Sequence, residues 1–242
     1  MTQVGFKTDK GKKRDRNEDS LFVMPQENIY IVADGVGGQN SGEIASSLAV
    51  RSIAEYIKAV PIAQNLREEA LKAYFLDCMK HANRVIMQNA LLAEENTGMA
   101  TTVVLLYLSE KFAYIVNMGD SRAYICRDGQ ISQITEDHTY VNELVKGGSI
   151  TKAQAETHPQ KNMITRALGG DDKVLPDFYR VETLKNDIII LCSDGLYGEL
   201  SAEEIVGIAA ESNSMSALSK SLVQRANRNG GHDNITVICL KI

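Results

Sequence analysis

Apolar residues recur along this chain in two rhythms. Between Glu43 and Lys58, Ala45, Leu48, Ala49, Ile53, Tyr56 and Ile57 share one face at helical spacing. From Leu66 to Leu92, Leu71, Tyr74, Phe75, Cys78, Ala82, Val85 and Ile86 repeat the pattern, and both stripes are wide enough to cover a sheet. Elsewhere the apolar runs are short and strand-like: Ser20–Met24, Ile29–Ala33, Thr101–Leu108, Phe112–Met118, Arg122–Arg127, Ile131–Ile134, Asp187–Cys192 and Asn234–Leu240. Turn residues at Pro25–Asn28, Ser109–Lys111 and Asp128–Gly129 join neighbouring runs as hairpins, which makes their pairing antiparallel. Two more helices, near Glu203–Ala210 and Ser216–Arg228, precede the last strand. Strand clusters with helices between them predict an α+β layering and not a βαβ parallel sheet. No repeat or linker interrupts the chain, so residues 1–242 read as a single domain. The stretch from about 140 to 170 is poor in apolar runs and split by Gly147–Gly148; it reads as a lid-like excursion.

Composition narrows the class. A chain of 242 residues, 44% hydrophobic and 24% charged, can bury one substantial core in water. Its net charge of −5 argues against a nucleic-acid partner, and the basic stretch from Lys7 to Arg16 reads as a solvated face. No apolar run approaches the roughly 20 residues of a membrane span, and no apolar segment follows the charged N-terminus as in a signal peptide. Cys78, Cys126, Cys192 and Cys239 lie far apart without a CxxC pair, as expected of buried free thiols in a cytoplasmic protein.

The chemistry lies in the aspartates. Asp34 follows IYIVA, Asp120 follows AYIVNMG, Asp194 follows IIILCS and Asp233 precedes NITVICL, so each stands where a strand meets a turn. Singly, each suits an ordinary turn, as does Asp128 in the plain hairpin YICRDGQIS. A hairpin folded about Gln26–Glu27, however, sets Asp19 opposite Asp34 with Glu18 beside them. Three carboxylates at one end of a ladder repel one another unless a cation neutralises them. Carboxylates without Cys or His partners select hard ions, Mg²⁺ or Mn²⁺, and no EF-hand spacing favours calcium. Arg14 adds a guanidinium at the same end, suited either to a surface salt bridge or to phosphate capture.

Taken together, RDRNEDS, VADGVGG, GMATT, NMGDSRAY, EDHT, ITRALGG, CSDGLY and GHDNITV resemble, in order, the motifs of the metal-dependent protein phosphatases of type 2C, closest to compact bacterial members. The match runs from Arg14 to Val237. The resemblance implies a four-layer α-β-β-α sandwich of two antiparallel sheets flanked by helices, with a metal centre between the sheets at one end. It implies that Asp34 bridges two Mn²⁺ or Mg²⁺ ions and that the Gly35 carbonyl binds the first. Asp194 and Asp233 hold the second, and Asp120 with Asp194 forms a third site. Glu18 and Asp19 then orient water, Arg14 binds substrate phosphate, and residues 140–170 match a variable flap.

The implied reaction is attack on phosphorus by a metal-bridging hydroxide, without a covalent phospho-enzyme. The CxxxxxR signature of cysteine phosphatases is absent, and CSDGLY has Cys192 where an aspartate-nucleophile DxDG pattern needs its first Asp. Where some members carry a loop histidine as general acid, this chain has Val36 and Gln39. His138 is then a candidate for either an active-site or a structural role; His81 and His158 read as surface residues, and the acid stays unassigned. The implied partners are phosphorylated proteins, namely a bacterial serine/threonine kinase and its substrates, met by a monomer that does not insert into membranes. A non-catalytic binding module and a phosphatase for small phosphoesters are the competing readings.

Overall fold

The computed structural model describes residues 2–37, 41–63 and 66–242. In chain order the strands are β1 (Gln3–Asp9), β2 (Asp19–Met24), β3 (Ile29–Val36), β4 (Ala100–Thr101), β5 (Val103–Leu108), β6 (Phe112–Met118), β7 (Arg122–Arg127), β8 (Gln130–Gln133), β9 (Asp177–Glu182), β10 (Ile188–Cys192) and β11 (Ile235–Lys241). Helices α1 (Ser41–Ala59) and α2 (Glu68–Ala90) follow β3; α3 (Tyr140–Lys146) and α4 (Lys152–Glu156) follow β8. Helices α5 (Asp194–Tyr197), α6 (Ala202–Glu211) and α7 (Met215–Asn229) separate β10 from β11. One sheet runs β1-β11-β10-β7-β8 and the other β2-β3-β5-β6-β9, with β4 beside β3. Every strand pair is antiparallel.

Alternation along the strands builds four layers. In β3, Ile29, Ile31 and Ala33 pack outward against Ala49, Ile53, Phe75 and Met79 of α1 and α2, while Tyr30 and Val32 point inward. In β10, Ile190 and Cys192 face Leu218 and Leu222 of α7, while Ile189 and Leu191 meet the inward set of the other sheet. Both of these central strands therefore bury both faces, as their near-continuous apolar runs require. The result is the expected α-β-β-α sandwich.

Two strands depart from the expectation. The basic N-terminal stretch is solvated only in part, because Gln3–Asp9 pairs with β11 from Gln3↔Lys241 to Asp9↔Ile235. β9 pairs with β6 across the whole 140–170 excursion. That excursion carries α3 and α4, each capped by a threonine: Thr139 accepts from Asn142 N, and Thr151 forms a reciprocal capping box with Gln154. Its end returns to β4, where Thr101 and Leu168 exchange two backbone hydrogen bonds of 2.9 Å. Asp128 is the expected turn residue: it and Gly129 take φ of 51° and 74° in the β7–β8 hairpin.

Candidate metal centre

Strand ends deliver acids to one end of the sandwich. Asp19 opens β2 directly opposite Asp34 of β3, in the register expected from the hairpin. Asp120 lies in the β6–β7 turn, Asp194 opens α5 straight after β10, and Asp233 precedes β11. Asp19 and Asp120 are buried; Glu18, Asp34, Asp194 and Asp233 are half-buried.

Neighbouring side chains fix these acids through hydrogen bonds. Ser193 Oγ donates to Asp19 Oδ2 at 2.7 Å and accepts from Thr236 N, which links β2 of one sheet to β10 and β11 of the other. The backbone of Asp34 is held by consecutive threonines: its N–H donates to Thr102 Oγ1, and its carbonyl accepts from Thr102 N and Thr101 Oγ1. The Thr102 hydroxyl also bonds Ser121 Oγ at 2.7 Å, beside Asp120. Tyr197 Oη donates to the Asp120 carbonyl at 3.0 Å, so one residue joins the loops that carry Asp120 and Asp194. The Arg122 guanidinium stacks 3.5 Å from the Tyr197 ring and forks onto Asp137. Gly119 must be glycine, because its φ is 112° and a β-carbon would collide with the Thr102 side chain. Gly35 N–H donates to the Glu18 carbonyl at 3.2 Å.

None of Ser193, Thr102, Tyr197 or Arg122 was assigned a role from sequence. Ser193, Tyr197 and Arg122 had only their nearness to Asp194 and Asp120 in CSDGLY and NMGDSRAY as a signal, and Thr102, in the acid-free string GMATT, had none. His138 resolves to a structural role. Gly119 N–H donates to its Nδ1 at 3.1 Å, while its Nε2 lies 3.1 Å from Asp177 Oδ2 and 3.2 Å from Arg166 Nη1. Burial lowers its pKa, keeping the imidazole neutral. His232 is exposed and pairs with Glu199 at 2.7 Å. Val36 is exposed; Gln39 lies outside the described residues.

Electrostatics distinguish the acid cluster from ordinary ion pairs. Burial, reinforced by neighbouring carboxylates, pushes Asp19 and Asp120 up to about 7 and Asp194 up to about 6. Burial and the charges of Asp19 and Asp194 raise Asp34 well above the usual carboxylate range. Asp19 Oδ1 is buried without a hydrogen-bond donor among the described residues. Arg14 reaches only the rim, where its Nη2 meets Asp233 Oδ2 at 2.7 Å.

Among the described residues no three acids, histidines or cysteines yet surround a common point. Even so, the donor set fits hard divalent cations: carboxylate oxygens from four chain segments, an orphaned buried oxygen, and too few positive charges to balance them. The protein phosphatase 2C family model matches residues 9–235. The chain belongs to the protein phosphatase 2C family. It is similar to the "Serine/threonine phosphatase stp" of Listeria welshimeri, at 36% identity over 98% of this chain and 94% of that one. Among solved structures, Stp1 from Staphylococcus aureus, a serine/threonine phosphatase, superposes with a TM-score of 0.91 at 34% identity, covering 100% of this chain and 95% of that one. The catalytic domain of the serine/threonine protein phosphatase PstP, in complex with two manganese ions, gives 0.85 at 31% identity, with coverages of 99% and 97%.

In this protein phosphatase no cysteine is poised as a nucleophile. Cys192, two residues before Asp194, is buried and its thiol is pushed up to about 12. No described helix is long and apolar enough to cross a membrane.

Proposed function

We propose that this chain is a metal-dependent serine/threonine phosphatase that hydrolyses phosphoserine and phosphothreonine in proteins, reversing the action of bacterial serine/threonine kinases on themselves and their substrates. The observation that carries this reading is the placement of Asp19, Asp34, Asp120 and Asp194 at one end of the sandwich, where burial and mutual repulsion hold their pKa values up. The names of the similar proteins support the substrate class, and the manganese in the PstP domain supports the metal.

Asp34, Asp194 and Asp233, with the Gly35 carbonyl, would hold two Mn²⁺ or Mg²⁺ ions, and Asp120 with Asp194 would hold a third. Cations bound there supply a water acidic enough to ionise near neutral pH and positive charge for the transition state. Ser193 locks one oxygen of Asp19, which would leave the other free to orient a water, with Glu18 beside it. Arg14 exchanges Asp233 for the substrate phosphoryl group and spreads the charge of its equatorial oxygens. No side chain is phosphorylated. The chain works as one cytoplasmic, monomeric domain with residues 140–170 as a flap, without nucleic acid or membrane insertion. The test is hydrolysis of p-nitrophenyl phosphate and of a phosphothreonine peptide with Mn²⁺. Turnover no higher than that of an Asp194→Ala control would sink the reading.

A further inference from the structure

The loop from Lys10 to Arg16 carries five cations, Lys10, Lys12, Lys13, Arg14 and Arg16, against one acid, Asp15, in a chain of net charge −5. All five are exposed. Arg14 is held by Asp233; among the described residues, Lys10, Lys12, Lys13 and Arg16 enter no ion pair.

This loop is fastened to the acid site. Asn234 Nδ2 donates to the carbonyls of Lys10 and Arg16 at 2.9 and 2.8 Å, clamping both ends, while Asn234 Oδ1 accepts from Glu18 N. Lys12 N and Lys13 N both donate to the Gly231 carbonyl. Gly11 (φ 76°) lies so close to the Asp233 carbonyl that a β-carbon would collide with it. The backbone is thus pinned against the GHDN loop while its ammonium and guanidinium groups face water. An ordinary solvated charge run needs no such anchorage.

We infer that this loop is a docking rim for the substrate chain, selecting phosphopeptides whose flanking residues are acidic or themselves phosphorylated. The inference rests on the proposed reading of Arg14 as the phosphate anchor, because the rim flanks that residue on both sides. Charge complementarity identifies the occupant: unpaired cations beside a phosphate-binding guanidinium favour anionic groups a few residues from the scissile phosphate.

The experiment uses the full chain with Mn²⁺ and phosphothreonine peptides that differ only in Glu, Ala or Lys at the flanking positions. The readout is kcat/KM for each peptide divided by that for p-nitrophenyl phosphate, which meets Arg14 but has no flanking residues for the other cations of the rim. The Glu peptide should exceed the Lys peptide by about tenfold at low salt, converging as ionic strength shortens the Debye length. A Lys12→Glu/Lys13→Glu variant should reverse the order. Equal ratios for all three peptides would overturn the inference. So would a flat peptide profile combined with Lys12- and Lys13-dependent sedimentation on phosphatidylserine vesicles, which would assign the rim to a membrane surface. Wild-type protein that does not hydrolyse p-nitrophenyl phosphate would defeat the catalytic reading separately; anisotropy of labelled peptides, which needs no turnover, would still decide the rim.

Discussion

Strand β10 has an acid at either end, and the two are treated in opposite ways. Asp187, just before the strand, is 2% exposed and meets Arg127, whose Nε and Nη2 donate to its two oxygens at 2.9 and 2.7 Å; Leu184 N adds a third bond. Burial pulls its pKa up, but Arg127 and the backbone N–H outweigh burial and hold it below the usual value. Asp194, just after the strand, meets Asp34 and Asp233 instead, and is pushed up to about 6. A structural acid has its cation supplied by the chain. Asp194 is left among other acids, an unbalanced charge that suits the proposed cation site.

The most severe way to break this comparison is Asp194→Asn. Turnover of p-nitrophenyl phosphate should fall about a thousandfold, while the metal-free variant melts no lower than the wild type, because a repelling charge has been removed. A marked drop in the metal-free melting temperature would mean that Asp194 is structural. At the other end, Asp187→Asn leaves Arg127 without its counter-charge. Denaturant unfolding should show a loss of about 1–3 kcal/mol, kept modest because Arg127 is one-third exposed, with turnover per folded molecule unchanged.

Acidification sharpens the contrast. In the metal-free protein the folded pKa values of Asp19, Asp120 and Asp194 lie above their ordinary 3.8, so they bind protons that the unfolded chain has already lost. Their stabilisation is complete at low pH and is lost as pH rises through about 6 to 7. Metal competes with those protons, so the Mn²⁺ affinity should rise about tenfold between pH 6 and 7.5, with proton release seen by calorimetry in two buffers. Asp187, with its folded pKa below 3.8, has the reverse sign: its contribution is present above that value and is lost only as pH falls below it. The smallest effect belongs to Asp128→Gly, which keeps the positive φ of the hairpin and should change stability by no more than about 0.5 kcal/mol, read from the same unfolding curves.

The strands that patterning revealed and those it missed differ in one respect. β2 and β8 are edge strands that were legible because each pairs with its sequence neighbour through a turn signal. β1 and β9 are also edges, but β1 pairs with β11 at the far end of the chain and β9 pairs with β6 across two helices. Neither has a hairpin turn to betray it, and an edge strand such as QVGFKTD leaves Phe6 half exposed, so its alternation is weak. Among site residues, the acids were legible from their motif strings. Ser193, Thr102 and Tyr197 were not, since their hydroxyls meet Asp19, Asp34 and Asp120, which lie far from them in the chain.

By itself the sequence determined the layering, the β2–β3 register that sets Asp19 against Asp34, and the family, because each depends on local periodicity or on residues adjacent in the chain. Only the tertiary structure decided that His138 braces Gly119, that Arg14 rests on Asp233 and that Asn234 clamps the basic loop. Those outcomes depend on which groups meet after two sheets close on one another, and no spacing along the chain encodes the desolvation that gives each meeting its energy.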